Sequence, residues 1–225
     1  MRRKKMILEL AVNLWMFACA SVGSIYGLLH FFKPHRPMYL QLITCGVFCM
    51  MYSRLLYVVF HTALGEIWGG FDIGLLGIAG SFLFFTSASY GQIDALADDG
   101  SEKFRLTRII ALTGPVILIC LYIVFFMVVP FVKVQIPVGL LTIVSMPCAY
   151  YAMKHLIIYD VEDGIIRSLR LYNTLILAYT ILIQLELLAI YIWNEPMYIA
   201  ISVCIGIVSL LILPVVKGGV DKWTK

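Results

Sequence analysis

Residues 107–130 read TRIIALTGPVILICLYIVFFMVVP, and this stretch decides the fold class. Arg108 is its only charged residue, and the remainder is long enough to cross the hydrocarbon core of a bilayer, which takes about 20 residues in a helix. Backbone groups in hydrocarbon must be paired within a helix or a closed barrel. The stretch shows none of the alternation of a barrel strand. It is therefore predicted to be a transmembrane helix.

The rest of the 225-residue chain shares this character. It is 62% hydrophobic and 13% charged, whereas an ordinary soluble domain is about 45–50% apolar and about 25% charged. We expect an all-α integral membrane protein in which residues 1–225 form a single bundle of seven transmembrane helices. The predicted spans lie at roughly 6–32, 38–61, 70–94, 107–130, 134–153, 171–193 and 196–216.

The basic residues divide unequally between the two sides of this bundle. One side, which we call the basic side, carries the connections after the first, third and fifth spans and the C-terminal tail. Its eleven basic residues are Lys33, Arg36, Lys103, Arg105, Arg108, Lys154, Arg167, Arg170, Lys217, Lys222 and Lys225. The opposite side has five: Arg2, Arg3, Lys4, Lys5 and Lys133.

Because Lys and Arg accumulate in cytoplasmic loops, this division predicts an orientation. We expect a multi-pass protein of the cytoplasmic membrane, with the C-terminus in the cytoplasm and the N-terminus outside. The basic cluster at Arg2–Lys5 opposes this orientation, because four charges at the start of a chain usually stay inside. If the first segment did not cross the membrane, Arg2–Lys5 would lie on the basic side. Fifteen basic residues would then face one, Lys133, on the opposite side.

Two connections on the basic side carry acidic residues, then a glycine, then basic residues. They read DALADDGSEKFR at 94–105 and DVEDGIIRSLR at 160–170. Glycine permits the turn between two helices. The plainer interpretation is a pair of solvated hairpin loops with anchoring basic residues. The functional interpretation is a docking surface for a cytoplasmic or membrane protein partner, formed by Asp98, Asp99, Lys103, Arg105, Asp160, Glu162, Asp163, Arg167 and Arg170.

Small residues predict where helices press together, since close packing drives helix association in lipid. The third span has Gly70, Gly74, Gly77 and Ser81 on one stripe, which predicts a central helix with another helix against that stripe. The first span has Gly23 and Gly27 in a GxxxG pattern. One face of that span carries Glu9, Asn13, Ala20, Ser24 and Gly27 and is expected to point into the bundle or towards a partner.

The most costly residue in the predicted spans is Arg54. A charge at the centre of a membrane helix costs about 2.5–3.5 kcal/mol on insertion scales, so Arg54 needs a cavity or a partner. Arg54 lies about 16 residues into the second span, and Glu186 lies about 15 residues into the sixth, which starts from the same side. The two residues are therefore at similar depth, and an ion pair between them is predicted.

Projecting this depth onto the other spans predicts a polar layer. Its further members are Asn13, Tyr122, Thr142, Ser145 and Ser202, with His61 on nearly the same face as Arg54. Convergent polar groups in an apolar bundle are typical of a small-molecule site. The alternative is an ion pair that only satisfies itself, with His61 an ordinary interfacial histidine.

Several kinds of chemistry lack their sequence patterns. No HExxH, GxSxG, Walker or dinucleotide motif is present, the six cysteines lie in apolar runs without a CxxC pair, and we predict no cofactor and no metal site. The acidic residues of the two loops resemble hard-cation ligands, but without the fuller patterns of a lipid-modifying enzyme. No basic run beyond Arg2–Lys5 indicates nucleic-acid binding, and no motif ties the chain to a known family.

Two functions of different classes fit these features. The first is a stand-alone membrane receptor or sensor that binds an unidentified small ligand near Arg54 and Glu186 and signals through a separate cytoplasmic partner. The second is a small transporter or permease subunit that uses the same polar site. An intramembrane lipid-modifying enzyme ranks third, and a homo-oligomer is a further alternative for the partner.

Overall fold

The computed structural model describes residues 2–34, 36–64, 73–98, 100–158, 168–192 and 194–223. All the regular structure in these ranges is helical. Seven helical segments are long and apolar enough to cross a membrane, which confirms the predicted all-α, multi-pass membrane protein. The first to seventh spans are Arg2–Phe31, Met38–Leu64, Ile73–Ala88, Arg105–Ala111 continued by Thr113–Val128, Val132–Ile157, Arg170–Ile192 and Glu195–Trp223.

The fifth and seventh spans extend furthest beyond their predicted ends on the basic side. The fifth runs to Ile157 and the seventh to Trp223, whereas the predicted ends are 153 and 216. Lys154 of this extension bonds to carboxylates of the protein itself. A lysine near the end of an apolar run therefore does not mark the end of this helix.

The fourth span is interrupted once. Leu112 separates its two helical segments, and its backbone N–H bonds to the carbonyl of Ile109 at 3.2 Å. Pro115 explains the interruption, because proline has no N–H to donate to the carbonyl four residues earlier and its ring clashes with that carbonyl. The helix resumes at Thr113 and reaches Val128.

Six of the seven spans form a closed ring. Each packs on the next in the order first, second, third, fifth, sixth and seventh, and the seventh packs back on the first. The fourth span lies outside this ring and contacts the fifth and sixth. In the most apolar stretch of the fourth span 22% of the residues are buried, whereas in that of the sixth span 56% are buried. The fourth span is thus the most lipid-exposed of the seven.

The small-residue stripes lie where spans approach closely, as predicted. Gly74 faces the ring of Tyr57, and a Cβ added at Gly77 would be 2.8 Å from the Cβ of Ser53. The Ser53 hydroxyl donates to the Gly74 carbonyl at 2.7 Å. The second span is therefore the helix against the stripe of the third. Gly70, the first residue of the predicted stripe, lies outside the described residues.

The inward face of the first span is also confirmed. A Cβ at Gly23 would lie 2.8 Å from the Ser209 carbonyl oxygen of the seventh span. Glu9, Asn13 and Ser24 are all buried. The first span therefore presents both its small and its polar residues to the ring.

Candidate functional site

An ion pair crosses the interior of the ring. The Arg54 guanidinium donates through Nη1 to Glu186 Oε1 at 2.9 Å and through Nη2 to Glu186 Oε2 at 2.6 Å. Arg54 is 6% exposed and Glu186 is 2% exposed. The predicted pairing of these residues is confirmed, and its bidentate geometry is the strongest form of an arginine–carboxylate contact. We call Arg54 and Glu186 the central pair.

Two further side chains complete the surroundings of the guanidinium. Asn13 of the first span accepts from Arg54 Nη1 at 3.4 Å, and its own amide nitrogen donates to the backbone carbonyl of Glu9 at 2.9 Å. The ring of Tyr57 lies 5.8 Å from the guanidinium carbon, within reach of a cation–π interaction. Arg54 is thus held by spans one, two and six together.

The space beside the central pair is small. The cavity that touches Arg54 has a volume of about 10 Å³, and its walls include Met16, Met50 and Tyr179. That volume is close to the minimum for one water molecule, whereas small-molecule sites usually have about 300–1,000 Å³. The cavity beside the charged groups is therefore too small to hold a small molecule in this structure.

A second buried polar contact lies farther along the same interface, towards the end of the bundle opposite the basic side. His61 Nε2 is 3.5 Å from Glu9 Oε2, and Glu9 Oε1 is 3.9 Å from Lys5 Nζ. Both Glu9 and His61 are buried. Because Asn13 bonds to Glu9 and Arg54, polar groups follow one another from Lys5 to the central pair. The contact of His61 with Glu9 was not predicted.

The other predicted members of the polar layer lie on the fourth, fifth and seventh spans. Tyr122 is not brought to the central pair: it lies on the peripheral fourth span, where its hydroxyl donates to the Gln135 carbonyl at 3.2 Å. Thr142 and Ser145 are buried, but each hydroxyl donates to a carbonyl of its own helix. Ser202 is buried on the seventh span. Equal depth does not determine whether a span belongs to the ring, and this explains the error at Tyr122.

Three tyrosines near the central pair were missed. Tyr57 and Tyr179 are almost fully buried, and the Tyr179 hydroxyl is 3.2 Å from the Ser81 hydroxyl. Tyr198 is close enough to Glu186, Arg54 and Glu9 to interact with them electrostatically. Spacings of three, four or seven residues put two side chains on the same face of a helix. Each tyrosine has such a spacing from a predicted site residue: Tyr57 from Arg54, Tyr179 from Glu186 and Tyr198 from Ser202.

A second group of charges, which is partly buried, lies at the basic side. Lys154 Nζ lies 2.6 Å from Asp94 Oδ1 and 2.7 Å from Asp98 Oδ2. His155 Nε2 is 3.2 Å from Asp94 Oδ1, and Arg108 Nε is 3.3 Å from Asp98 Oδ2. We call these five residues the basic-end network. It ties the connection after the third span to the fourth and fifth spans.

The electrostatics of Asp94 follow from this network. Burial disfavours the ionised carboxylate, but hydrogen bonds and positive charge from His155 and Lys154 outweigh it and lower the pKa of Asp94. The carboxylates are therefore neutralised by cations of the protein. Among the residues that the structure describes, no three His, Cys, Asp or Glu side chains group as a metal site.

The predicted docking residues have different environments. The Asp98 side chain is 3% exposed and pairs with Lys154 and Arg108, so it is not available on the surface as expected. Lys103, Arg105 and Arg170 are exposed. The remaining predicted docking residues, Asp99, Asp160, Glu162, Asp163 and Arg167, lie outside the described residues.

No protein-family model, curated protein or solved structure matches this chain. Function is therefore inferred from the central pair and its surroundings.

Proposed function

We propose that this protein is a membrane receptor or sensor module, in which a small ligand acts on the central pair and shifts the helices of the ring. The observation that supports this best is the position of the pair. Arg54 and Glu186 belong to spans that are not neighbours in the ring, yet they bond across its interior. A ligand that separates them releases opposite sides of the ring from each other.

The chemistry of Arg54 defines the class of ligand. A guanidinium binds carboxylate and phosphate oxygens through two parallel hydrogen bonds, so a small anion competes with Glu186 for Arg54. Room for it comes from the cavity walls, because the flexible Met16 and Met50 line the space beside Arg54. Methionine side chains readily adapt to new shapes.

The output of this sensor is the basic side, which we place in the cytoplasm. Lys103, Arg105 and Arg170 are exposed there and form the described part of a surface for a separate cytoplasmic or membrane protein. The basic-end network supports this role, because it couples the connection that carries Lys103 to the fourth and fifth spans.

The test compares Glu186→Gln and Arg54→Gln with the wild type in detergent, with thermal unfolding measured against a panel of small carboxylates and phosphates. Glu186→Gln leaves the Arg54 charge without its carboxylate, so we expect one class of anion to stabilise this variant more than wild type. Arg54→Gln should show no such stabilisation. Arg54→Lys is the matched control, since it keeps the charge and loses the two-pronged geometry.

The proposal is wrong if no anion stabilises either the wild type or Glu186→Gln while the variants remain folded. The double variant Arg54→Gln/Glu186→Gln has no unpaired charge at this site. It shows whether the bundle tolerates the substitutions themselves.

A small-anion transporter is the second candidate function, and one observation favours it. Lys5, Glu9, His61 and Asn13 lead from one end of the bundle to Arg54, as a route to a midplane site would. Counterflow of a labelled anion in proteoliposomes distinguishes the candidates. Uptake that Arg54→Gln abolishes indicates a transporter, whereas stabilisation by the same anion without uptake indicates a receptor.

A further inference from the structure

A separate depression opens at the basic side, between the start of the sixth span and the end of the seventh. Its volume is about 490 Å³, and Arg170, Lys222, Leu171 and Val215 are among its lining residues. The volume falls in the range of small-molecule sites, about 300–1,000 Å³. We call it the basic depression. It lies at the ends of the sixth and seventh spans, whereas the central pair lies in the interior of the ring.

Two adjacent glycines shape this depression. Gly219 lies so close to the residues just before the sixth span that an added Cβ would be 2.5 Å from the Ser168 carbonyl oxygen, whereas Gly218 has nothing within 4 Å of its Cβ position. Gly219 therefore lets the seventh span meet these residues, and Gly218 leaves space beside the contact. Both glycines line the depression.

The lining has the character of a lipid head-group site. Arg170 and Lys222 bring positive charge from two different helices, and both are exposed. Within the described residues, neither of them pairs with a carboxylate. Leu171 is 58% exposed, so an apolar surface adjoins the two cations. This combination suits a ligand with an anionic head and an apolar tail.

The position of the depression along the membrane normal agrees with this chemistry. The sixth membrane-spanning helix begins at Arg170, and the seventh ends at Lys222. Both cations are therefore at the basic-side ends of spanning helices, where lipid head groups are expected. Basic pockets between helices at this level bind anionic lipid head groups.

We propose that the basic depression binds the phosphate of an anionic phospholipid, with Arg170 and Lys222 as its cationic ligands and Leu171 against the acyl chain. Asp221 is also exposed beside Lys222 but does not line the depression. This inference does not depend on the receptor or transporter proposal.

The test is native mass spectrometry of the full chain in micelles that contain phosphatidylglycerol or phosphatidylcholine. We expect wild type to retain phosphatidylglycerol selectively. Arg170→Gln/Lys222→Gln should bind it about thirtyfold more weakly, from the loss of two contacts between a basic side chain and an anionic lipid. Lys33→Gln/Arg36→Gln is the matched control, because it removes two exposed charges from the same side outside the depression.

Two outcomes overturn the proposal. Equal loss of phosphatidylglycerol in both double variants means that only the overall charge of the basic side attracts the lipid. Stabilisation of wild type by inorganic phosphate, abolished by Arg170→Gln/Lys222→Gln, with no selective retention of phosphatidylglycerol, means that the depression takes a free anion instead. Thermal unfolding in phosphatidylcholine alone verifies that both variants are folded.

Discussion

The charges of the central pair are buried and those of the basic-end network are partly buried, and the two groups are paired in different ways. Arg54 relies on one carboxylate, which occupies both arms of its guanidinium. In the network, Asp98 pairs with two cations, and Lys154 pairs with two carboxylates. The central pair therefore has one strong contact, whereas the network distributes its contacts. Loss of one side chain should have very different consequences in the two regions.

The largest effect is expected at the central pair. Arg54→Ala or Glu186→Ala leaves an uncompensated charge in the ring, which costs about 3–5 kcal/mol. The double variant removes both charges and should be no less stable than the worse single variant. Thermal unfolding of the four proteins gives the coupling between the residues.

Ser87→Ala is a control for this cycle, since Ser87 is exposed and its hydroxyl donates to the Leu83 carbonyl of its own helix. It should change stability little. Additive effects of Arg54→Ala and Glu186→Ala would contradict a direct interaction between them and would remove the contrast with the network.

A smaller effect is expected for Lys154→Met. It removes the shared cation of Asp94 and Asp98, but His155 still contacts Asp94 and Arg108 still contacts Asp98. We expect a loss of about 2 kcal/mol, in the range of hydrogen bonds to charged groups. Chemical denaturation of the purified protein measures it. If Lys154→Met lowered the free energy of unfolding as much as Arg54→Ala, the remaining contacts of His155 and Arg108 would not compensate for the loss of Lys154.

The network should also respond to acid. The pKa of Asp94 is lowered from its ordinary value of 3.8, so the unfolded chain binds the proton more readily than the folded protein. Asp94 therefore contributes stability above this ordinary pKa, and the contribution is lost as the pH falls from 3.8 through the lowered pKa. Unfolding followed as a function of pH should show a shallower acid slope in Asp94→Asn. An unchanged slope would exclude Asp94 as a contributor.

The smallest effect is expected at the water-facing edge of the network. The Arg108 side chain is 33% exposed, and a pair of this kind contributes at most about 1 kcal/mol and is screened by salt. Arg108→Gln should therefore lower the unfolding temperature slightly at low salt and hardly at all at high salt. A salt-independent loss would place Arg108 among the buried contacts instead.

The two regions also differ in how far they could be predicted. Arg54 and Glu186 stand out because charge in a membrane helix is costly, and their depth can be counted from the same side. Their pairing therefore followed from the sequence, as did the packing of the second span on Gly74 and Gly77. The seven spans followed from length and apolarity alone.

The basic-end network was not predicted, because Lys154 near the end of a span looks like an ordinary anchoring residue. Its partners come from 94–98, about 60 positions earlier in the chain, and nothing local indicates that they meet. The predicted place of Tyr122 in the polar layer was wrong for a related reason, since depth does not reveal that the fourth span lies outside the ring. Which helices are neighbours depends on packing between spans far apart in sequence.

The separation between the two partners of the central pair has a consequence for biosynthesis. Glu186 is 132 residues after Arg54, which corresponds to about 10 s of translation at roughly 5–20 residues per second. During that interval Arg54 is already part of an apolar helix while its carboxylate does not yet exist. Asn13 has been made by then and is the polar neighbour at hand. The ring itself closes last, because the seventh span must be complete before it can pack on the first.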